Sequence, residues 1–543
     1  MHGTRITIHR SLLHVCAILL TVFCVAFVLT QTVEATIKHD LSSYLAPAVA
    51  YIEGYGAPYV DFFDIKPPVA IFFLVPWTGV FGFSLISMVV LDAITLFLLF
   101  YLFFRLLSIC KSDLFVYFIF LYALVYALSY RLFGLMLLTE TVGLVFVFFS
   151  LLLAFSQQSG MKSWFLAGML LQFAGQVKEV YAFTPIIFAA FVWLDNRFYL
   201  REALTAFLGW CVGGLVVFFL LFSSDSHVAY LDVLAFKADA FRVQDLVTMV
   251  LRMIKGLAAF SGSRLKFYLF FVPSLILLIV FVWWIHAQRK PFGLRAGSRA
   301  HIASVFALLL LAVIVGFAWQ GKPPSGHYAV SIFFPYMLFI CAWFAALREM
   351  LPAIAKPKKM GLGTGTISMV LLVWFCAVLT PGLKLPAQTS QQIVSHIRGG
   401  GFSIPELEGE EALSRYRFVS SNLQEGDCLQ QAYGWAAGTA YLYTGTKPCS
   451  RHFLANLITN ETTVNEYVQD LQQSSPTVVI YNPAGADLDV ELFEKSIFPW
   501  GEIVSNCYLP TEFATIFVAS VQLDGLENCI KVVLRLKGIA TEP

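Results

Sequence analysis

Apolar runs of about twenty residues, separated by short polar stretches, fill most of the chain up to residue 383. Runs of that length suit helices that cross a hydrocarbon layer. Spans are predicted at 11–30, 84–107, 114–130, 139–156, 164–177, 181–195, 203–222, 266–286, 302–318, 328–347 and 365–383. Two of these, 164–177 and 181–195, are short and flank the charged pair Lys178 and Glu179. Beyond residue 383 the pattern changes. PTVVIYNP, ATIFVASV and CIKVVLRL read as buried strands, whereas ELFEKSIF and NEYVQDLQQ carry helical spacing. The expected fold is a polytopic α-helical membrane protein of about eleven transmembrane helices (1–383), including a first outer loop (31–83). A soluble extracytoplasmic α/β domain, read as a sandwich, follows over 384–543, long enough to fold alone.

Basic residues orient the spans. Arg5, Arg10, Arg105, Lys111, Lys162, Arg197, Arg201, the Arg289–Arg299 cluster and the Arg348–Lys359 stretch share one side, which the positive-inside rule makes cytoplasmic. The N-terminus then lies in the cytoplasm, and the first loop and the tail lie outside. Cys428, Cys449, Cys507 and Cys529 form an even set in the tail, which suggests two disulfides and an oxidising compartment. Their pairing is open, as is the alternative of four free thiols. The first span ends near Val33-Glu34-Ala35, a small-x-small pattern that also suits signal cleavage; its long apolar core favours retention as an anchor. Composition sharpens the class: 58% of residues are hydrophobic and 13% charged, unlike a soluble chain of 543 residues. The net charge of +2 says nothing about partners, and no Lys/Arg cluster looks like a nucleic-acid surface.

Candidate chemistry gathers in the first outer loop, where charge beside a bilayer costs free energy and usually has a use. In LSSYLAPAVAYI the apolar residues follow helical spacing, predicting a short helix lying on the membrane. Asp40 stands just before it, either as an N-cap or as a base that accepts a proton from an attacking group. Pro47 argues for a later helix start or a kink. Lys66, followed by Pro67 and Pro68, is either an interfacial lysine or a cation for a lipid-linked phosphate. Asp61 and Asp64 read as turn formers or as ion partners of Lys66 or Lys38, not as catalysts. Glu140 opens the fourth span, as an acid suited to a helix N-terminus or as a second carboxylate sharing a site with Asp40. Lys178 and Glu179 read as a self-neutralising pair, and Asp92 is the clearest charge within a span. The loop 223–265 contains DVLAFKADAFRVQ, suited to an interfacial helix, and WQGKPPSGHY brings Lys322 and His327 to the outer face.

The order Asp40-x3-Tyr44, Gly54…Gly56-Ala-Pro-Tyr59-x-Asp61-Phe-Phe-Asp64-x-Lys66-Pro-Pro68 resembles the first outer loop of GT-C glycosyltransferases. Within that superfamily it is most similar to the protein O-mannosyltransferase and lipid A aminoarabinose transferase branch. LLTE ending at Glu140, QVK ending at Lys178 and GHY ending at Tyr328 are weaker matches. The resemblance implies an integral membrane enzyme, in a bacterial inner membrane, that moves a sugar from a polyprenyl phosphate to an extracytoplasmic lipid, glycan or protein. It implies Asp40 as base with Glu140 as a second catalytic acid, and Lys66 as the donor-phosphate contact. Arg242 and His327 would be further phosphate or acceptor contacts, and Tyr44, Tyr59, Asp61, Asp64 and Lys178 supporting residues. Leu41 stands where many members carry Glu, which removes the paired carboxylate at that point. No cofactor is required. The resemblance leaves room for a divalent metal, but no His/Asp spacing here demands one. One base and one phosphate clamp suffice for attack opposite the departing phosphate, with inversion.

Two rival readings follow from the same pattern. A transporter or flippase of a lipid-linked saccharide should carry charges at mid-membrane depth in several spans, and an assembly or receptor protein would bind through its tail alone. The enzyme reading requires Asp40 and Lys66 to flank one water-filled hollow.

Overall fold

The structure, a computed structural model, describes residues 14–15, 17–26, 39–110, 116, 119–121, 123–124, 137, 139–155, 160–188, 200–240, 299–320, 330–354, 410–433, 437–454, 457–458, 461–483, 490, 493–494, 498–520 and 523–536. In chain order its main helices are α1 (His39–Glu53), α2 (Pro68–Phe72), α3 (Leu74–Phe81), α4 (Leu85–Ile109), α5 (Thr139–Phe155), α6 (Met161–Val177), α7 (Leu200–Ser223), α8 (His227–Ala240), α9 (Arg299–Gln320) and α10 (Val330–Ile354). The tail contributes α11 (Glu410–Ser421), β1 (Leu429–Gln431), α12 (Ala437–Thr444), α13 (Glu461–Gln473), β2 (Val478–Ile480), α14 (Trp500–Cys507), β3 (Tyr508–Pro510), β4 (Ile516–Ala519) and α15 (Leu523–Leu536). These elements form two compact units. One comprises 1–32, 90–216 and 241–403; the other comprises 33–89, 217–240 and 404–543. The sequence division at 383/384 put the first outer loop with the spans, whereas the structure groups that loop with the tail.

Helices build the first unit. Phe103 anchors its core, with its ring 5.0 Å from Phe334 and 6.3 Å from Phe148. α6 and α7 cross where side chains are absent: a Cβ at Gly168 would lie 1.8 Å from the Ala206 carbonyl oxygen, and one at Gly209 would lie 1.9 Å from that of Phe165. Small residues let membrane helices approach this closely. Asp92, buried in α4, accepts the Leu137 N–H at 3.1 Å. Among the described residues, α4 and α7 are long and apolar enough to cross a membrane, and Ala17–Ala26, Thr139–Phe155, Glu179–Phe188, His301–Phe317 and Val330–Trp343 are shorter apolar helices. The expected spans at 266–286 and 365–383, and most of 114–130, lie outside the described residues. A count of eleven is therefore not established.

The second unit is built around a four-stranded sheet of order β1-β2-β4-β3. β1 and β2 are parallel, with Leu429 opposite Val478; the two other pairings are antiparallel. A parallel pair needs a long crossover, and α12 and α13 lie between β1 and β2. Disulfides join Cys428 to Cys449 and Cys507 to Cys529, resolving a pairing that spacing left open. CIKVVLRL, expected as a strand, belongs to α15. Its neighbourhood buries Leu526, Ile530, Val533 and Leu534, the stripe of a helix rather than the alternation of a strand. ELFEKSIF lies mostly outside the described residues.

α1 also departs from expectation. Residues 41–50 are all buried, including Ser42 and Ser43, so this helix is enclosed rather than laid on a surface by one face. Alanines at 46, 48 and 50 leave room for neighbours on several sides, and α1 packs against α3 and α12. It runs unbroken through Pro47 from a start at His39, earlier than Pro47 had suggested. At the second contact a Cβ on Gly438 would stand 2.1 Å from the Ser42 carbonyl oxygen.

Candidate functional site

Lys66 closes a turn that the chain builds from its own short-range contacts. Asp64, 1% exposed, accepts the Lys66 N–H at 3.1 Å on Oδ1 and places Oδ2 3.9 Å from Nζ. Tyr59 donates its hydroxyl to the Lys66 carbonyl at 2.8 Å. Tyr59 sits at φ 65°, a conformation in which a Cβ is crowded. Its N–H donates to the Phe62 carbonyl at 3.0 Å, and its ring lies 5.0 Å from that of Tyr230. The following prolines fix the exit: Pro67 is extended and Pro68 opens α2, where a missing N–H costs nothing.

The Lys66 ammonium turns toward α1. Nζ donates to Ser43 Oγ and lies 4.9 Å from the centroid of the Tyr44 ring. The Lys66 side chain keeps 17% of its surface exposed. Position 40 is three and four residues before Ser43 and Tyr44 on the same helix, and residues so spaced share a face. Thus the α1 face that receives Lys66 is the face on which position 40 lies. The side chain of Asp40 itself lies outside the described residues, as do Arg242 and His327.

Tail residues 447–453 hold the loop just before this turn. The Phe63 N–H donates to the Arg451 carbonyl at 2.7 Å. The Phe63 ring meets the His452 ring at 4.7 Å, the Phe236 ring at 5.7 Å and the Arg451 guanidinium at 5.5 Å. Phe62 lies edge-on to Tyr441 and Phe453. Asp61 accepts the Ala57 N–H at 2.9 Å, as a turn former does, and among the described residues its ion partner is Lys447 at 3.3 Å rather than Lys66; Lys38 lies outside the described residues. Arg451 pairs with Asp232 at 3.2 Å and Glu466 at 2.7 Å, and His452 Nε2 lies 2.8 Å from Glu466. The hydrogen bond from His452, then the one from Arg451, hold the Glu466 carboxyl down at about 2 against the cost of burial. No feature of the sequence marked Arg451 or His452, because their importance depends on a contact across nearly four hundred residues.

A cavity of about 540 Å³ borders this region, lined in part by Val60, Asp61, Lys447, Arg451, Asp470 and Thr477. Its lining includes Asp61 but not Lys66, so it is not the common hollow expected for Asp40 and Lys66.

Glu140 and Lys178 belong to the other unit. They form an ion pair of 2.8 Å, with Glu140 buried and Lys178 half-buried. The expected self-neutralising pair of Lys178 with Glu179 therefore gives way to one with Glu140, and Glu179 instead accepts from Gln320 Nε2 at 3.1 Å. The Tyr181 hydroxyl donates to the Glu140 carbonyl at 2.8 Å and lies 2.7 Å from Ser331 Oγ. Gly143 makes room for that ring, since a Cβ there would meet it at 2.3 Å.

No protein-family model and no curated protein matches the chain. Solved structures similar to it include two from one archaeon. One is the oligosaccharyltransferase of Archaeoglobus fulgidus, tethered by a disulfide to an acceptor peptide containing the NVT sequon, at 9% identity and a TM-score of 0.46. The other is archaeal oligosaccharyltransferase AglB from Archaeoglobus fulgidus, in complex with an inhibitory peptide and a dolichol-phosphate, at 12% identity and a TM-score of 0.42. Each match covers 94% of this chain and 74% of the other. Neither likeness is close enough to bear on what this chain does.

Proposed function

We propose that this chain is a membrane glycosyltransferase of the GT-C type, moving a sugar from a polyprenyl phosphate to an acceptor outside the cytoplasm. The observation that carries the reading is the setting of Lys66: its backbone is fixed on both sides and its ammonium is aimed at the α1 face that carries position 40. A donor phosphate entering there takes the place of the Ser43 hydroxyl, a neutral partner that it exceeds in charge. Asp64 Oδ2 lies 3.9 Å from the Lys66 ammonium, whose side chain keeps 17% of its surface exposed, and that ammonium stabilises the phosphate that departs from the anomeric carbon. Asp40 then takes the proton of the acceptor hydroxyl or amine as it attacks from the opposite face, giving inversion.

Glu140 acts through its 2.8 Å pair with Lys178, which holds its buried carboxylate in place. A flippase would use charges at mid-membrane depth. Asp92, the charge that suggested one, has a local use in tethering Leu137.

Mass spectrometry of membrane glycolipids and glycoproteins, from cells with and without the gene, tests the reading. A sugar substituent should vanish with the gene and return with the wild-type chain. Identical profiles, together with impaired passage of a lipid-linked saccharide across the membrane, would favour the transporter instead.

A further inference from the structure

The tail's segment 447–453 does more than pack on the loop: it fixes the part of the loop that leads into Lys66. Its own backbone is held from behind, since Asp470 Oδ2 accepts from Ser450 Oγ at 2.8 Å and from the Arg451 N–H at 3.3 Å, while Gln430 Oε1 accepts the Ser450 N–H at 3.1 Å. The disulfide at Cys449 ties it to Cys428 beside β1. From this base Arg451 reaches three separated pieces of the chain. Its carbonyl and guanidinium hold Phe63 of the loop, Nη1 holds Asp232 of α8, and Nη2 holds Glu466 of α13. A guanidinium can serve two carboxylates at once because its donors are spread in a rigid plane, which an ammonium cannot reproduce. α8 in turn braces the loop's beginning, with Tyr230 against Tyr59, and Ser226 just before α8 donates to the Pro58 carbonyl at 2.6 Å. Phe63 is three residues from Lys66, and a displacement of about 1 Å at a reacting group can cost about a hundredfold in rate.

We infer that Arg451 is a positioning residue for the donor phosphate: by tying Phe63, Asp232 and Glu466 together it sets where the Lys66 ammonium stands. This role rests on the phosphate reading of Lys66. It makes the tail part of the donor site's scaffold, in addition to anything the tail does with an acceptor.

A double-mutant cycle on the full chain in lipid nanodiscs tests the role, with binding of a short-chain polyprenyl monophosphate as the readout. Arg451→Met should weaken binding about tenfold, and Arg451→Lys should not restore it. In a Lys66→Met background, Arg451→Met should change binding by less than about twofold, because the group that it positions is gone. Equal losses in both backgrounds would reduce Arg451 to a general stabiliser and overturn the role, as would wild-type affinity in Arg451→Met. Should Arg451→Met not fold, Glu466→Gln, which removes the charge facing Arg451 at nearly constant volume, must show the same dependence on Lys66. Wild-type protein that binds no polyprenyl phosphate would instead remove the reading of Lys66 itself, an outcome distinct from wild-type binding with an inert Arg451.

Discussion

Lys66 is held at its N–H by Asp64, at its carbonyl by Tyr59, and at its ammonium by Ser43 with the Tyr44 ring beneath. A charge-assisted hydrogen bond contributes about 1.5–3 kcal/mol, so Lys66→Met should weaken donor binding roughly ten- to hundredfold. Titration of the purified protein with a polyprenyl monophosphate measures this. Tyr59→Phe removes one neutral hydrogen bond, and donor affinity should fall by only a few-fold, about 1 kcal/mol. Glu466 makes a pH prediction. Its carboxyl is depressed in the folded state from 4.5 to about 2. The stability that it contributes is therefore fully present above about pH 4.5 and is lost as pH falls through about 2. Denaturant unfolding at stepped pH should show wild-type protein losing more stability over that window than Glu466→Gln, and parallel losses would contradict the assignment. Sequence brought Tyr44, Tyr59, Asp64 and Lys66 forward together, since all lie in one polar loop. It offered Asp61 and Asp64 as turn formers or as ion partners of a nearby lysine, and the Asp61 bond to Ala57 and the Asp64 approach to Lys66 agree with that; the added pairing of Asp61 with Lys447 was not legible, because tertiary folding alone brings Lys447 there.

At the level of elements, two close approaches are decisive. Alanine is ordinarily the better helix residue by roughly 0.5–1 kcal/mol, but Gly438→Ala would force a methyl onto backbone atoms of Ser42 at 2.1 Å. Overpacking typically costs about 1–3 kcal/mol, and backbone yields less readily than a side chain. The clash wins, and Gly438→Ala should lower the unfolding midpoint; an unchanged or raised midpoint would mean that α1 and α12 are not in this contact. Periodicity located α4, α5, α6, α7 and α13 well, because each has a long apolar or amphipathic repeat. It failed at α15, where Ile530, Val532 and Val533 are β-branched and the run is short. There the helix is decided by burial on one stripe and by the disulfide at Cys529, neither legible in eight residues. It also failed for the setting of α1, whose apolar positions suit a membrane surface and a protein interior equally.

For the whole molecule, the notable result is that a loop near the start, a segment in the middle and the C-terminal tail fold as one unit. The two disulfides lie within that unit and close sequence separations of 21 and 22 residues. Loops of that size are stabilised by about 3 kcal/mol each in the chain-entropy account. Reduction should therefore lower the tail's melting temperature and, through the segment at Cys449, weaken binding of the polyprenyl monophosphate. Cysteine count made an oxidised tail foreseeable, but the joining of the first loop to that tail has no signature in spacing or composition.

Transfer of a radiolabelled sugar from its polyprenyl phosphate, by the purified chain in proteoliposomes, is the most direct test. The acceptor should be the one that glycolipid and glycoprotein profiling identifies. Asp40→Asn should bind the donor as the wild type does yet lose transfer by a hundredfold or more, about 2.7 kcal/mol or above. Lys66→Met should lose both. Transfer at the wild-type rate by Asp40→Asn, or unaltered donor binding by Lys66→Met, would contradict the pairing of these two residues around one phosphosugar.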